Sequence, residues 1–554
     1  MGKDANNQPI NNGWDGLNMS LPESRGEGLM MITKAYLSQL DPDVITSSDE
    51  IVNDLMGMVK HAFVLYNETA ENGTKWRIPT DLEPEQIAMI ILHIHNIKNI
   101  NCSGAKADKD YDILGIYQEA GENAGIYVSD EAAFRNLIRE YNPSLKKNDI
   151  EEVLYIFKDA AERIERCDDR DLIALSNGIF NYRTKQLEPF SPDKVFTAKC
   201  RVNYNPTAVS PVIHNDKDNT DWEVEDWVKG LFEDGSDIPE TIWQIMGAII
   251  RPNVRWNKAA WFVSEKGNNG KGTLCQLFRN LAGKESYASI PLADFGKDFM
   301  LEPLIRCTSI ITDENDVGTF IDKAANLKAV ITNDVIQVNR KFKKPIAYQF
   351  RGFMVQCVNE MPRVKDKSES FYRRQLFIPF KKCYTGMERR YIKDDYLNRP
   401  EVLEYVLYRI LNMNYYELSE PEACKQALEE YKAYNDPVRD FLQELLSEVS
   451  WECIPSPILY DMYKGWSQKN NPRGSILGKS SFFQSVGNCI DPIKDGWEFN
   501  KNKKNRVLHR MDCEEPLLDE FSCERWMINP KSKKISDRIN TSKKWQSTVG
   551  LFKL

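Results

Sequence analysis

The sequence predicts an α/β protein: a parallel sheet flanked by helices, preceded by a mostly helical region and followed by a helix–helix–hairpin module. Three observations lead there. Strand-like and helix-like segments alternate between 256 and 380, as in parallel sheets whose crossovers are helices. An apolar strand, a glycine-rich loop and an amphipathic helix follow one another over 259–278. Apolar residues three and four apart recur on both sides of that stretch. The 554 residues, 42% hydrophobic and 28% charged, have ordinary globular composition, and the length predicts roughly three to four domains.

The net charge of −9, from 73 Lys and Arg against 82 Asp and Glu, excludes a polycation, so nucleic-acid contact must come from local basic patches. The longest apolar stretch, 87–97, is interrupted by His93, His95 and Asn96 and is too short to cross a bilayer. MGKDANN lacks the apolar core of an export signal, and Asn6 breaks the myristoylation pattern. A cytoplasmic location without membrane attachment is expected. With 12 cysteines in no C-x-x-C pair and 5 histidines, inert thiols are expected rather than a zinc site or disulfide framework.

Residues 1–25 are polar, and helical patterns follow at 29–40, 51–66 and 84–97, so 1–110 is expected as a helical region of unassigned role. Asp108, Asp110 and Asp112 cluster there, but Ile113 stands where a calcium loop needs Gly, and a solvated turn is expected. Residues 111–230 form a second, mixed unit, 231–385 the central α/β domain, and 386–435 a helical connector. At Asn435-Asp436-Pro437 a new helix starts, with Asp436 as cap and Pro437 in the first turn. Val438, Phe441, Leu442 and Leu445 share its apolar face, opening a domain over 436–526 that a basic tail, 527–554, follows.

The strongest motif is Ala259-Ala260-Trp261-Phe262-Val263, then Ser264-Glu265-Lys266-Gly267-Asn268-Asn269-Gly270-Lys271-Gly272-Thr273. A strand feeding a glycine-rich loop that opens a helix presents backbone N–H groups to phosphates, with Lys271 reaching the β/γ oxygens. Gly267, Asn268, Asn269, Gly270, Lys271, Gly272 and Thr273 are the expected phosphate-binding residues, for ATP with Mg²⁺. Against G-x-x-x-x-G-K-[ST], Glu265 replaces the first glycine and Gly272 the hydroxyl residue. Thr273, one position late, is left to contact phosphate or to help hold the metal through water.

Downstream, the apolar run Ser309-Ile310-Ile311-Thr312 ends in Asp313-Glu314, expected to hold Mg²⁺ and to polarise the attacking water respectively. A second buried run, 353–358, ends in Asn359, an amide placed to sense the γ-phosphate. Arg373 and Arg374 precede a third, 375–380, and arginine from a neighbouring subunit stabilises phosphoryl-transfer charge. Each signal is common alone; their order within about a hundred residues is not.

Between the acid pair and Asn359, Arg340, Lys341, Phe342, Lys343 and Lys344 join two strand-like segments as a basic hairpin turn. Lysines bind phosphates without reading sequence, and Phe342 offers a ring for base stacking. Near the C-terminus, Leu459, Met462, Tyr463 and Trp466 share one helix face. A second helix follows from Lys479, and Lys501, Lys503 and Lys504 lie in the turn of an expected β-hairpin over 497–509. Helix, helix and basic hairpin is winged-helix order, with the helix for the major groove and the wing for backbone.

This compact order of motifs resembles superfamily 3 helicases, AAA+-type ring ATPases, and specifically the phage/plasmid primase–helicase group. Asn177-Gly178-Ile179-Phe180-Asn181-Tyr182, Leu187-Glu188-Pro189-Phe190, Asn203-Tyr204-Asn205-Pro206, the stretch 242–252 and Glu429-Glu430-Tyr431 are similar to that group over roughly 110–510. Within it, the chain looks nearest to replication initiator helicases of staphylococcal mobile elements. The resemblance implies an AAA+ P-loop core and a C-terminal winged helix. It also implies a hexameric ring whose hairpin tracks single-stranded DNA in the channel, and unwinding at a double-stranded replication origin, with host replication proteins as possible partners. Two alternatives stay open: a primase–helicase with an unrecognised N-terminal primase, and an origin-binding nucleotide switch without unwinding.

Overall fold

The computed structural model describes residues 22–41, 46–70, 74–103, 109–264, 266–341, 343–470, 476–527, 529 and 546–554. The leading residues form helices Arg25–Leu37, Ser48–Thr69 and Pro84–Ile94. Ser47 and Glu50 close a reciprocal cap on the second, and Pro84 occupies the first turn of the third. The predicted helix over 84–97 stops at Ile94. Ile97–Asn101 is a strand, antiparallel to Ile113–Tyr117 and parallel to Glu162–Glu165. The boundary expected at 110 therefore falls inside one α/β unit, whose core joins Leu29, Ile87, Ile138 and Phe157. Pairing on both sides, with Ile113–Tyr117 and Glu162–Glu165, and burial of Ile97, Asn99, Ile100 and Asn101 override the helical periodicity before it. Asp112 is not solvated: it is 4% exposed, and its carboxylate pairs with Arg163 at 2.6 Å. Asp108 and the side chain of Asp110 lie outside the described residues.

The central sheet has five parallel strands: β1 (Ala259–Val263), β2 (Tyr287–Ala288), β3 (Ser309–Thr312), β6 (Phe353–Val358) and β7 (Gln375–Pro379). Between β3 and β6 stands a separate antiparallel ribbon, β4 (Val335–Arg340) and β5 (Lys343–Gln349). The sheet order is β2-β3-β6-β1-β7, so the first strand in sequence is interior and both faces need cover. Ala260, Phe262, Val355 and Ile378 pack into one core, with helix α1 (Lys271–Ala282) and the helices Ile238–Ile250 and Pro400–Asn412. Trp261, Met354 and Phe377 turn into the other core. Burying a side chain such as Phe262 contributes about 1.5–3 kcal/mol, so this sheet is the stable frame for its loops.

The C-terminal unit runs helix Pro437–Glu448, strand Cys453–Pro455, helices Ser456–Asn470 and Lys479–Cys489, then two strands. Asp436 caps its first helix by accepting from the Val438 N–H at 3.1 Å. Two expectations are corrected here. Trp497–Arg506 is one ten-residue strand, not a hairpin turning at 500–505; its register slips between Asn500 and Asn505. Its partner is Ser547–Lys553, the middle strand of a three-stranded sheet, so the last described residues are core rather than a free basic tail. Leu551 and Phe552 drive this, buried against Trp497, Trp451 and Ile454. Among the described residues, no helix is long and apolar enough to cross a membrane.

Candidate nucleotide site

Ligands of open parallel sheets gather at the carboxyl ends of the strands, and the glycine loop, the acid pair and Asn359 stand there. β1 runs directly into the glycine loop, held between β6 and β7. Within the loop, the Ser264 hydroxyl donates to the Lys266 carbonyl at 2.7 Å. Asn269, 4% exposed, also donates to that carbonyl and accepts from the Lys271 N–H at 3.3 Å. Asn269 thus braces the loop from within rather than facing a ligand. Asn268, left-handed at φ 53°, donates to Glu388 Oε1 at 3.0 Å, and its carbonyl accepts from the Tyr384 N–H at 2.7 Å. It fastens a segment that sequence reasoning passed over, and sequence spacing carries no signal for that contact. Gly270 sits at φ 86°, a left-handed conformation that favours glycine, and a Cβ there would also have to displace the tip of the Leu231 side chain, 2.6 Å away. A Cβ on Gly267 or Gly272 would meet nothing within 4 Å, which leaves open space over their backbone. Glu265 lies outside the described residues.

Lys271 opens α1 and is 5% exposed. Its Nζ donates to the Asn359 amide oxygen at 2.8 Å and to the Val358 carbonyl at 3.1 Å. Burial pushes its ammonium below the usual lysine range. The N–H groups of Gly272 and Thr273 precede the first helix bond, Leu274 N–H to the Gly270 carbonyl at 2.9 Å. They are free of helix bonds at a helix start, where N–H groups are suited to anions. Two thiols, Cys275 of α1 and Cys357 of β6, touch beneath the lysine at 3.3 Å.

β3 delivers the acid pair next to β6. Glu314 is exposed at the strand's end, the position needed to meet a water. Asp313 is engaged: Arg279, two turns along α1, makes a paired contact at 2.8 and 3.1 Å. Burial raises the Asp313 carboxyl, but the Arg279 hydrogen bonds and charge outweigh it and hold it below the usual aspartate range. Sequence reasoning missed Arg279. Its only signal is that it lies eight positions after Lys271, on a neighbouring helix face. Asn315 fixes the turn, donating to Gln356 Oε1 and to the Cys357 carbonyl, both at 3.0 Å. Mg²⁺ takes one or two protein oxygens and fills its octahedron from phosphates and water. Asp313 and the half-buried Thr273 supply oxygens of that kind, provided that Asp313 exchanges Arg279 for the ion.

Arg373 and Arg374 occupy the opposite end of the sheet. The Arg374 carbonyl accepts from the Ala259 N–H at 2.8 Å, at the start of β1. A five-residue strand spans roughly 16 Å, so neither guanidinium reaches the glycine loop of its own chain. Arg374 is tied to Ser370 through its carbonyl and hydroxyl. Arg373 is exposed and, among the described residues, its guanidinium has no ion pair.

The basic hairpin rises from the same domain. Ile336, Val338, Ile346 and Tyr348 bury its base. Arg340 turns back to the Lys344 carbonyl at 3.2 Å, and both residues line a cleft toward the N-terminal unit. Lys341 is exposed at the tip, while Phe342 and the side chain of Lys343 lie outside the described residues. Lys479, Lys501, Lys503 and Lys504 are all exposed on the C-terminal unit, the last three along the slipped strand rather than in a turn.

Comparison with known families divides the chain. Residues 262–374, from β1 to Arg374, match DUF5906, a family of unknown function. Residues 59–233 match the D5 N-terminal-like family, and residues 433–522 match the poxvirus D5 protein-like family. No curated protein matches the chain. Among solved structures, an A-form apo structure of the NrS-1 C-terminal region is similar at 14% identity and a TM-score of 0.41, covering 85% of this chain and 100% of that one. An A-form apo structure of its residues 305–718 is similar at 15% identity and a TM-score of 0.40, covering 76% of this chain and 89% of that one. D5-type matches thus flank the glycine loop, acid pair and sensor amide on both sides, and they support the resemblance to the phage primase–helicase group.

Proposed function

We propose that this chain is an ATP-hydrolysing DNA helicase of the superfamily 3 type that initiates replication of a mobile element, working as a ring. The observation that carries the proposal is the convergence of Lys271, Asp313, Glu314 and Asn359 on neighbouring strand ends of one parallel sheet, with Lys271 already bonded to Asn359 at 2.8 Å. The D5-type matches to either side favour a replication role.

Lys271 and the helix-start amides bind the phosphates, and Glu314 polarises the attacking water. Asp313 and Thr273 would hold Mg²⁺ bound with the nucleotide, which would supply charge neutralisation to the phosphates. Binding draws Lys271 away from Asn359, freeing its amide to orient the water. Arg373 has no phosphate within reach in its own chain, so it serves the site of the next subunit. Between β3 and β6, both of which bear site residues, hangs the hairpin; a shift of either strand end moves its basic tip along single-stranded DNA. The C-terminal unit, with Lys479 on its exposed helix and Lys501, Lys503 and Lys504 along one strand, holds duplex DNA at the origin.

The test is phosphate release with and without single-stranded DNA. Stimulation by DNA, abolished by Lys271→Ala, is expected; no release under either condition contradicts hydrolysis. A second reading, a nucleotide switch that binds but scarcely hydrolyses, draws on the Arg279–Asp313 pair and on Gly272 in the hydroxyl position. In that case nucleotide binds without release of phosphate.

A further inference from the structure

Arg373 stands where the central domain meets the C-terminal unit. The single helical turn Glu369–Tyr372 carries it, and the Arg373 N–H donates to the Glu369 carbonyl at 3.0 Å. Phe371 and Tyr372 anchor that turn in the core, with the Tyr372 ring edge-on to Tyr431 at 6.0 Å. Tyr431 belongs to the helix Glu422–Asn435, which runs into the C-terminal helix Pro437–Glu448 with only Asp436 between them. The Val364 N–H donates to the Asn435 side chain at 3.0 Å, and the Tyr431 hydroxyl to the Pro362 carbonyl at 2.8 Å. This helical corner is thus fastened to the segment that leads from Asn359 to Arg373.

One carboxylate ties the turn to both helices. Glu369 pairs with Lys432 at 3.2 Å and with Arg439, in the first turn of the C-terminal helix, at 3.3 Å. Glu429 pairs with the same two cations at 2.9 and 4.0 Å. The Lys432 side chain is 9% exposed and that of Arg439 15%, against 58% for Glu369. The cations are therefore held by their surroundings, and Glu369 is the outer link that connects Arg373 to them. From Arg439, packing continues to the helix that bears Lys479. The Cys489 thiol, at the end of that helix, donates to the Asp436 carboxylate at 3.6 Å. Phe441, two residues beyond Arg439, meets Phe482 of the same helix at 6.2 Å between ring centres, and both are buried.

We infer that Glu369 positions Arg373, and that the C-terminal unit governs this residue through Arg439. The inference rests on the reading of Arg373 as part of the neighbouring subunit's site. Duplex DNA that holds the Lys479 helix restrains Arg439, and the pair with Glu369 then narrows the positions open to the turn carrying Arg373. Duplex bound by one chain consequently acts on the nucleotide of the next chain and not on its own.

Phosphate release by mixed subunits, with and without mixed-sequence duplex DNA at low salt, tests this; such duplex is bound through its backbone, without regard to sequence. Lys271→Ala protein lends Arg373 and Arg373→Ala protein holds the nucleotide, so release by their mixture comes only from the seam between them. Duplex is expected to stimulate it. Glu369→Gln in the lending chain should cut the stimulated rate roughly three- to tenfold, the scale of a partly exposed ion-pair network, with the ATP concentration for half-maximal rate unchanged. The same change in the nucleotide-holding chain should leave the rate as it was. Arg439→Gln should repeat this pattern while Arg439→Lys keeps most of the stimulation, and these two decide the matter should Glu369→Gln fail to fold. Equal loss from either chain, loss from neither, or no stimulation by duplex overturns the inference and leaves the shared site standing. A mixture that releases no phosphate overturns the shared-site reading itself, and the inference with it.

Discussion

Replacing Lys271 with alanine separates nucleotide binding from folding. In the free protein its ammonium makes two hydrogen bonds, to Asn359 at 2.8 Å and to the Val358 carbonyl at 3.1 Å, at 5% exposure. Each bond from a charged donor contributes about 1.5–3 kcal/mol, but the same burial penalises the charge by several kcal/mol. The opposing terms leave the free protein's stability within about 2 kcal/mol of wild type, of either sign. Nucleotide binding loses its central cation, a loss of roughly a hundredfold or more. At a concentration a hundred times the wild-type Kd, ATP stabilises wild type by about 2.7 kcal/mol; with Kd raised a hundredfold, the variant gains only about 0.4 kcal/mol. Thermal melting with and without ATP and Mg²⁺ reads both quantities. A variant that melts normally and still gains the full ATP-dependent shift would refute the placement of phosphates at this lysine.

Further expectations concern other parts of the molecule. Arg373→Ala should leave ATP binding intact and reduce hydrolysis by about 10³-fold or more; mixing it with Lys271→Ala protein should restore activity, because each supplies what the other lacks, and no restoration would mean that subunits do not share sites. Lys343→Ala combined with Lys344→Ala should spare basal phosphate release and abolish strand displacement, whereas intact displacement would put the hairpin outside the DNA path. Arg279→Ala should free Asp313 and lower the Mg²⁺ concentration needed for ATP binding; an unchanged requirement would mean that Asp313 is not a metal ligand. Burial lowers Lys185 and Lys199 to about 8 each, so the unfolded chain, with lysines near 10.4, binds more protons between those values. Stability should therefore rise with pH from about 8 to 10, and Lys185→Met together with Lys199→Met should flatten that rise in urea unfolding curves.

The placement of the glycine loop, the acid pair and Asn359 at neighbouring strand ends was legible because the pattern is local. Each is a short apolar strand followed at once by the residues it presents, and in a parallel sheet all strand ends point the same way. Asp436 and Pro437 were legible for the same reason, as a helix start written in adjacent residues. What escaped depends on contacts between distant segments. Arg279 finds Asp313 only because α1 lies against β3, and Asn268 meets Glu388 only because the chain returns past the loop after β7. Ser547–Lys553 reads as a basic tail until Leu551 and Phe552 are seen to fill the space between two other strands. The slip between Asn500 and Asn505 likewise hides in a polar run that resembles a turn. Asp112 was misjudged by its polar neighbours, since its partner Arg163 lies on another strand.

Strand displacement on forked duplexes of both polarities tests the central claim most directly, that nucleotide seated between two subunits drives the basic hairpin along one strand. Wild type should separate one polarity of fork in an ATP-dependent manner, and Glu314→Gln protein mixed into it should depress the rate more steeply than dilution alone. Displacement that needs no ATP, or that falls strictly in proportion to the wild-type fraction, would contradict it.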